Sequence, residues 1–140
     1  MITVLDVETT FTKDGDPTPF HPDNRLVSVG INDEYFFFYH KDMKDMKKIQ
    51  ESKKRIQEIL NDSTLVVGHN LKFDMSWMYE FGFTYNGKLY DTMLAEYVMN
   101  RGVKNKSISL KECCKRRGLS VKSDILASYM DSGYGVDEIP

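Results

Sequence analysis

Two carboxylates stand two residues apart near the start of the chain, in the stretch ITVLDVETT. Asp6 and Glu8 belong to an apolar, β-branched run that predicts a strand over residues 2–7. Side chains two apart on a strand project from one face, so both carboxylates can converge on one point. Because two anions this close repel, the pair favours a site for a hard divalent cation such as Mg²⁺ or Mn²⁺. The simpler alternative is two polar residues at a strand end.

A second polar group follows a later apolar run, in GHNLKFDMSWM. Asn70 and Asp74 are four residues apart at the start of a predicted helix, which would place both side chains on one face. The helix begins where the preceding strand ends. If that strand lies beside the first and parallel to it, Asp74 can reach the Asp6 and Glu8 pair. Alternatively, Asn70 is only a helix N-cap and Asp74 a solvated acid.

Hydrophobic periodicity predicts the elements that position these side chains. In order they are the strand 2–7, a hairpin of RLVSVGI and EYFFFYH, a helix at 44–61, the strand STLVVGHN, a helix at 71–80, the strand KLYD, the helices TMLAEYVMN and SISLKECCKRRG, and a tail with a possible helical turn. The first strand is so apolar that we expect it to be covered on both faces. This order predicts an α/β fold with a mixed sheet, three antiparallel strands followed by parallel ones, flanked by helices.

Four other residues invite a chemical role but have simpler interpretations. His69 follows a strand and is interpreted as a loop histidine with its hydrogen bonds satisfied. Asp91 directly precedes TMLAEY and is interpreted as the N-cap of that helix. Cys113 and Cys114 are neighbours, a poor arrangement for a disulfide, and the sequence has no other cysteine. We therefore expect reduced thiols.

Length and composition describe one ordinary domain. The chain has 140 residues, 41% of them apolar, and no stretch near the roughly 20 apolar residues of a membrane span. We expect a cytoplasmic monomer. The net charge is −2, yet residues 101–122 carry eight Lys or Arg and one acid. This basic stretch suits a polyanionic partner, although a solvated helix would look the same.

Four segments together resemble a known family: DVET at 6–9, GHNLKFD at 68–74, YDTMLAEYVMN at 90–100 and SLKECCKRRGL at 109–119. They resemble the proofreading 3′-5′ exonuclease domain of family A DNA polymerases, within the DEDD exonuclease superfamily, whose fold is ribonuclease H-like. The resemblance implies that Asp6, Glu8 and Asp74 coordinate two Mg²⁺ or Mn²⁺ ions. It also implies hydrolysis of phosphodiester bonds at DNA 3′ ends.

The resemblance extends to the substrate and to the rest of the protein. It implies that Thr9, Asn70 and Phe73 contact the single-stranded 3′ end, and that a polymerase domain accompanies this domain in the full-length chain. The family's third motif, Tyr-x-x-x-Asp or His-x-x-x-x-Asp, does not occur in the tail VKSDILASYMDSGYGVDEIP. We therefore expect a domain incomplete at its C-terminus and impaired as an enzyme. An RNA-trimming exoribonuclease and a non-catalytic nucleic-acid-binding module remain as alternatives.

Overall fold

The computed structural model describes residues 1–10, 15–16, 18–39, 45–101, 106–120 and 132. The helical turn suggested for the tail lies outside these residues. The elements are β1 (Ile2–Thr9), β2 (Leu26–Ile31), β3 (Glu34–Phe37), α1 (Met46–Asp62), β4 (Leu65–Gly68), α2 (Leu71–Glu80), β5 (Lys88–Asp91), α3 (Thr92–Met99) and α4 (Leu110–Arg116). They follow the predicted order.

The strands form one five-stranded sheet in the order β3-β2-β1-β4-β5. β1 pairs with β2 and β2 with β3 in antiparallel fashion, whereas β1 with β4 and β4 with β5 are parallel. The predicted mixed sheet is therefore confirmed. β1 is central, and its carboxyl end lies where the chain order switches from β2 on one side to β4 on the other. Ligand sites in open α/β sheets lie at such switch points.

The core lies on one face of this sheet. Along β1 every second side chain is buried, and these side chains pack with apolar residues of α1 and α2, among them Ile56 and Met78. The prediction that β1 is covered on both faces is wrong, because Ile2 and Val4 are 64% and 56% exposed. When a strand has apolar residues at both odd and even positions, its sequence does not show which face the helices cover.

A tight hairpin joins β2 to β3, and its turn contacts β1. Asn32 forms its turn in the left-handed conformation with φ 52°, which Asn tolerates better than most residues. Its side chain accepts a 2.9 Å hydrogen bond from the backbone N–H of Val4, which ties the turn to β1. In the part of the chain that the structure describes, no helix is long and apolar enough to span a bilayer.

Candidate active site

The carboxylates of Asp6 and Glu8 leave β1 on the face opposite the core. In the β1–β2 pairing Asp6 stands opposite Gly30 and Glu8 opposite Ser28, while the residues between them point into the core. All four residues line one cavity of about 210 Å³, together with the ring of Tyr35. The strand geometry thus places both acids on one face, as their spacing predicts.

Asp74 approaches β1 from the other side of the sheet. It lies in the first turn of α2 and is only 4% exposed. A Cβ atom built on Gly68 would stand 3.6 Å from Asp74 Oδ2 and 3.1 Å from the carbonyl oxygen of Leu5. The buried carboxylate therefore lies beside the end of β4, close to the backbone that precedes Asp6.

The acids lie on elements that border the region beyond the last β1–β4 pair, between the carboxyl end of β1 and the start of α2, which we call the gap. The β1–β4 ladder ends with Val4 opposite Val67, so Asp6 lies beyond the last pair, where the chain turns from β4 into α2. Within the described residues no three acid, histidine or cysteine side chains already form a group that could hold an ion. The carboxylate oxygens of Asp6, Glu8 and Asp74 are the ligand type that Mg²⁺ and Mn²⁺ prefer. The donor set fits such an ion, and its convergence stays a prediction.

The residues predicted to contact the DNA 3′ end lie on the two elements that border the gap: Thr9 ends β1, and Asn70 and Phe73 lie at the start of α2. Asn70 is exposed and left-handed, with φ 61° and ψ 50°, and so its side chain does not share the face of the buried Asp74. The predicted common helix face is wrong, because a left-handed residue before the helix does not follow the helical spacing. Phe73 is partly buried against the core. Thr9 is half-buried at a β-bulge that ends the β1–β2 ladder. Their contact with substrate stays a prediction.

His69 has the structural role predicted for it. Its Nε2 donates to the carbonyl oxygen of Ile108 at 2.7 Å, and its Nδ1 lies 2.9 Å from Thr92 Oγ1. A carbonyl oxygen can only accept, so the Nε2 atom carries the proton. The ring thereby links the end of β4 to the N-terminus of α3 and to the segment before α4.

Asp91 is an N-cap, as predicted, but it does more. Its Oδ1 accepts from the backbone N–H of Met93 at 2.8 Å, which caps α3. Its carboxylate also accepts from the backbone N–H groups of Asn70 and Leu71, each at 3.0 Å. One side chain thus binds the N-termini of two helices that flank the gap.

An ion pair that the sequence interpretation missed holds α4 on α3. Glu96 is buried in α3 and accepts from Arg117 Nε at 2.6 Å, while Arg116 lies 3.6 Å from its other oxygen. The hydrogen bond from Arg117 keeps the pKa of Glu96 below its usual value of 4.5. A lone acid in the apolar run TMLAEYVM, near an arginine-rich segment, was the signal that could have revealed the pair.

The basic helix α4 lies toward the face that carries Asp6 and Glu8. Tyr90 pairs with Val67 across β4 and β5, and Val67 pairs with Val4 across β1 and β4. The Tyr90 ring therefore projects from the same face of the sheet as Val4 and Asp6. The ring lines a cavity of about 370 Å³ together with residues of α3 and α4, including Cys113. Cys113 and Cys114 are both free thiols.

Three comparisons with known proteins found similarities: to a protein family, to a DNA polymerase and to the fold of a solved structure. A model of the 3′-5′ exonuclease family matches residues 5–130. DNA polymerase I of Aquifex aeolicus (strain VF5) is 29% identical over 110 residues, which is 79% of this chain but 16% of that protein. A solved structure described as the apo form of the nuclease is similar in fold, with a TM-score of 0.63 and 14% identity over 99% of this chain and 59% of its own. The predicted nuclease-like α/β architecture is confirmed.

Proposed function

Since the chain belongs to the 3′-5′ exonuclease family in the form found with family A DNA polymerases, we propose that it hydrolyses the terminal phosphodiester bond of DNA 3′ ends with divalent metal ions. The observation that carries the proposal is the pair Asp6 and Glu8. Both lie on one face of the central strand, toward its carboxyl end at the sheet's switch point, and both line one cavity with residues of β2 and β3. A carboxylate pair at this place suits a cation and an anionic substrate.

The acids have distinct tasks in this proposal. Asp6 and Glu8 would hold the metal from the open face, where a phosphodiester has access, and Asp74 would supply a carboxylate from the buried side. When bound, Mg²⁺ or Mn²⁺ lowers the pKa of the attacking water and stabilises the leaving 3′ oxygen. The stiff central strand fixes the two carboxylates in relation to each other, which is the positioning that phosphodiester hydrolysis requires.

The substrate is the single-stranded 3′ end of DNA. We assign Thr9, Asn70 and Phe73 to contacts with the terminal nucleotides, because all three lie on elements that border the gap. The similarity to a DNA polymerase I favours DNA over RNA and favours a polymerase domain as the partner in a longer protein. In that setting the activity would be proofreading.

We expect slow hydrolysis by the 140-residue chain itself. The family uses a fourth carboxylate in its third motif, and the tail at residues 121–140 contains neither form of that motif. A missing oxygen ligand weakens and misplaces the ion, and a misplacement of this kind can cost about 100-fold in rate. A longer chain that includes the motif should release labelled 3′ nucleotides at a much higher rate than these 140 residues do.

Metal binding tests the proposal without depending on the rate. Mn²⁺ binding is measured by electron paramagnetic resonance for the wild type and for Asp6→Asn and Asp74→Asn, which keep side-chain volume. The matched control is Asp62→Asn, an exposed acid at the end of α1. We expect the two site variants to lose about tenfold or more in affinity and the control to bind as the wild type does.

Equal Mn²⁺ binding by wild type and Asp6→Asn would contradict the enzyme assignment and leave a nucleic-acid-binding module. Binding that depends on Asp6 but not on Asp74 would remove Asp74 from the metal site. A chain that binds Mn²⁺ through these acids, and degrades single-stranded RNA faster than DNA of the same sequence, would favour the exoribonuclease alternative.

A further inference from the structure

Asp91 connects the two helices that begin at the gap beside the acids. In the β4–β5 pairing it stands opposite Gly68, the last residue of β4, so its carboxylate lies next to the turn into α2. Its Oδ1 and Oδ2 accept from the backbone N–H groups of Asn70 and Leu71, and Oδ1 also accepts from Met93. Asp91 thereby supplies the cap that the N-terminus of α2 needs.

Asn70 occupies the N-cap position of α2 without acting as a cap. An Asn at this position normally accepts a hydrogen bond from a backbone N–H in the first turn. Here its side chain makes no capping bond, and its backbone is left-handed with φ 61° and ψ 50°. Conformations of this kind cluster at functional sites and persist only where the surrounding structure holds them.

The two observations explain each other. Since Asp91 caps α2 from the neighbouring strand, the side-chain amide of Asn70 is not needed for capping. Asn70 is exposed at the edge of the gap. We propose that Asp91 is a positioning residue that holds the backbone of Asn70 left-handed, so that the Asn70 side chain faces the 3′ end of the DNA. This inference rests on the proposed function, in which Asn70 contacts that end.

Asp91→Ser separates the two roles of the side chain. Serine is a good N-cap, so it can keep the bond to Met93 N–H at the start of α3. It is shorter and has one oxygen, so it loses the bonds to Asn70 and Leu71. The matched control is Asp45→Ser, because Asp45 caps α1 through the N–H of Lys48. The control makes the same replacement at the N-cap of a helix that packs on the core face of the sheet.

Two measurements test the proposal on the 140-residue chain. The first is fluorescence anisotropy of a labelled oligothymidylate with a free 3′-hydroxyl, in Ca²⁺, which takes the same carboxylate ligands. We expect Asp91→Ser to bind about tenfold more weakly than wild type, which is within the range of coupling between residues of one hydrogen-bond network. The second is amide hydrogen exchange, which should accelerate at Asn70 and Leu71 in this variant and stay unchanged there in Asp45→Ser.

A double-mutant cycle distinguishes positioning from general stability. Glycine adopts the left-handed conformation without strain, so Asn70→Gly removes the side-chain amide and keeps the backbone conformation. If Asp91 acts through Asn70, Asp91→Ser weakens binding in the wild type and has no further effect in Asn70→Gly. If the losses in DNA affinity are additive, or if Asp91→Ser binds as tightly as the wild type does, the positioning role of Asp91 is wrong. The proposed contact between Asn70 and DNA is not affected by either result. If Asn70→Gly binds the oligothymidylate as tightly as the wild type does, Asn70 does not contact the DNA, and that part of the proposed function is wrong.

Discussion

Gly68 and Leu71 leave no room for a methyl group between the end of β4 and the first turn of α2. A Cβ atom on Gly68 would lie 3.6 Å from Asp74 Oδ2, 2.7 Å from Leu71 Cδ1 and 3.1 Å from the carbonyl oxygen of Leu5. The Leu71 side chain on α2 must therefore move, and the β1 backbone at Leu5, next to Asp6, must give by a few tenths of an ångström. We predict that Gly68→Ala lowers the free energy of unfolding by about 1–3 kcal/mol, as overpacking does, and weakens Mn²⁺ binding. Urea unfolding and Mn²⁺ titration measure the two effects.

Gly118→Ala is the control for this substitution. Gly118 has φ 67° and no atom within 4 Å of its built Cβ, so alanine there adds backbone strain without crowding. It should cost about 1 kcal/mol and leave Mn²⁺ affinity unchanged. If Gly68→Ala also left the affinity unchanged, the position of α2 would not determine the position of the Asp74 carboxylate.

The pair of Glu96 and Arg117 makes stability depend on pH. Folding lowers the pKa of Glu96 below 4.5 because Arg117 donates to the carboxylate. The stabilisation is therefore fully present above pH 4.5 and is lost as pH falls through the lower pKa of the folded state. We predict that Glu96→Gln lowers the melting temperature at pH 7, and that the difference from wild type shrinks as pH falls below 4.5.

Glu58→Gln provides the comparison for the pH experiment, since Glu58 is an exposed acid on α1. Its melting temperature should follow that of the wild type at every pH. A difference between Glu96→Gln and wild type that stayed constant from pH 7 to pH 3 would show that lost packing, and not the charge pair, accounts for the loss.

Local patterns predicted the elements because each element carries its own periodicity. The turn at Asn32, the helix start at Leu71 and the helix end near Gly82 all depend on residues within a few positions along the chain. Strand β1 shows the limit of this reasoning. Its apolar residues occur at both parities, and only the tertiary packing of α1 and α2 decides that Ile2 and Val4 stay exposed.

The geometry of the candidate site was predictable from the sequence only in part. The spacing of Asp6 and Glu8 places them on one strand face, since a strand repeats every two residues. The spacing of Asn70 and Asp74 predicted a common helix face, and this prediction was wrong because Asn70 is left-handed. The bonds from Asp91 to the start of α2 join residues about 20 positions apart, and no local pattern reports such a contact.

His69 should be needed for the attachment of α4. His69→Ala removes the Nε2–H donor and leaves the carbonyl group of Ile108 without it. We predict a loss of about 1–3 kcal/mol in the free energy of unfolding and faster amide exchange across Leu110–Arg116. His21→Ala is the control, because the bond that His21 Nδ1 accepts comes from the nearby N–H of Asp23 and reaches no other element. Equal exchange in α4 of both variants would contradict the proposed link.

The basic segment before and within α4 should contact DNA phosphates. Lys106 and Lys115 are exposed, and α4 lies toward the sheet face that carries the acids. We predict that Lys106→Gln and Lys115→Gln each reduce the slope of log affinity against log salt by about 0.7, the value for one phosphate of a single strand.

The alternative, a solvated basic helix, predicts no change in that slope. Lys47→Gln and Lys54→Gln are the matched controls, because these exposed lysines lie on α1, which packs on the opposite, core face of the sheet. They remove the same charge from the chain, so any effect of net charge alone would appear in all four variants. A slope reduced only by the α4-side substitutions would place the DNA backbone along the acid-bearing face. Equal reductions in all four would leave the basic helix as a solvated surface.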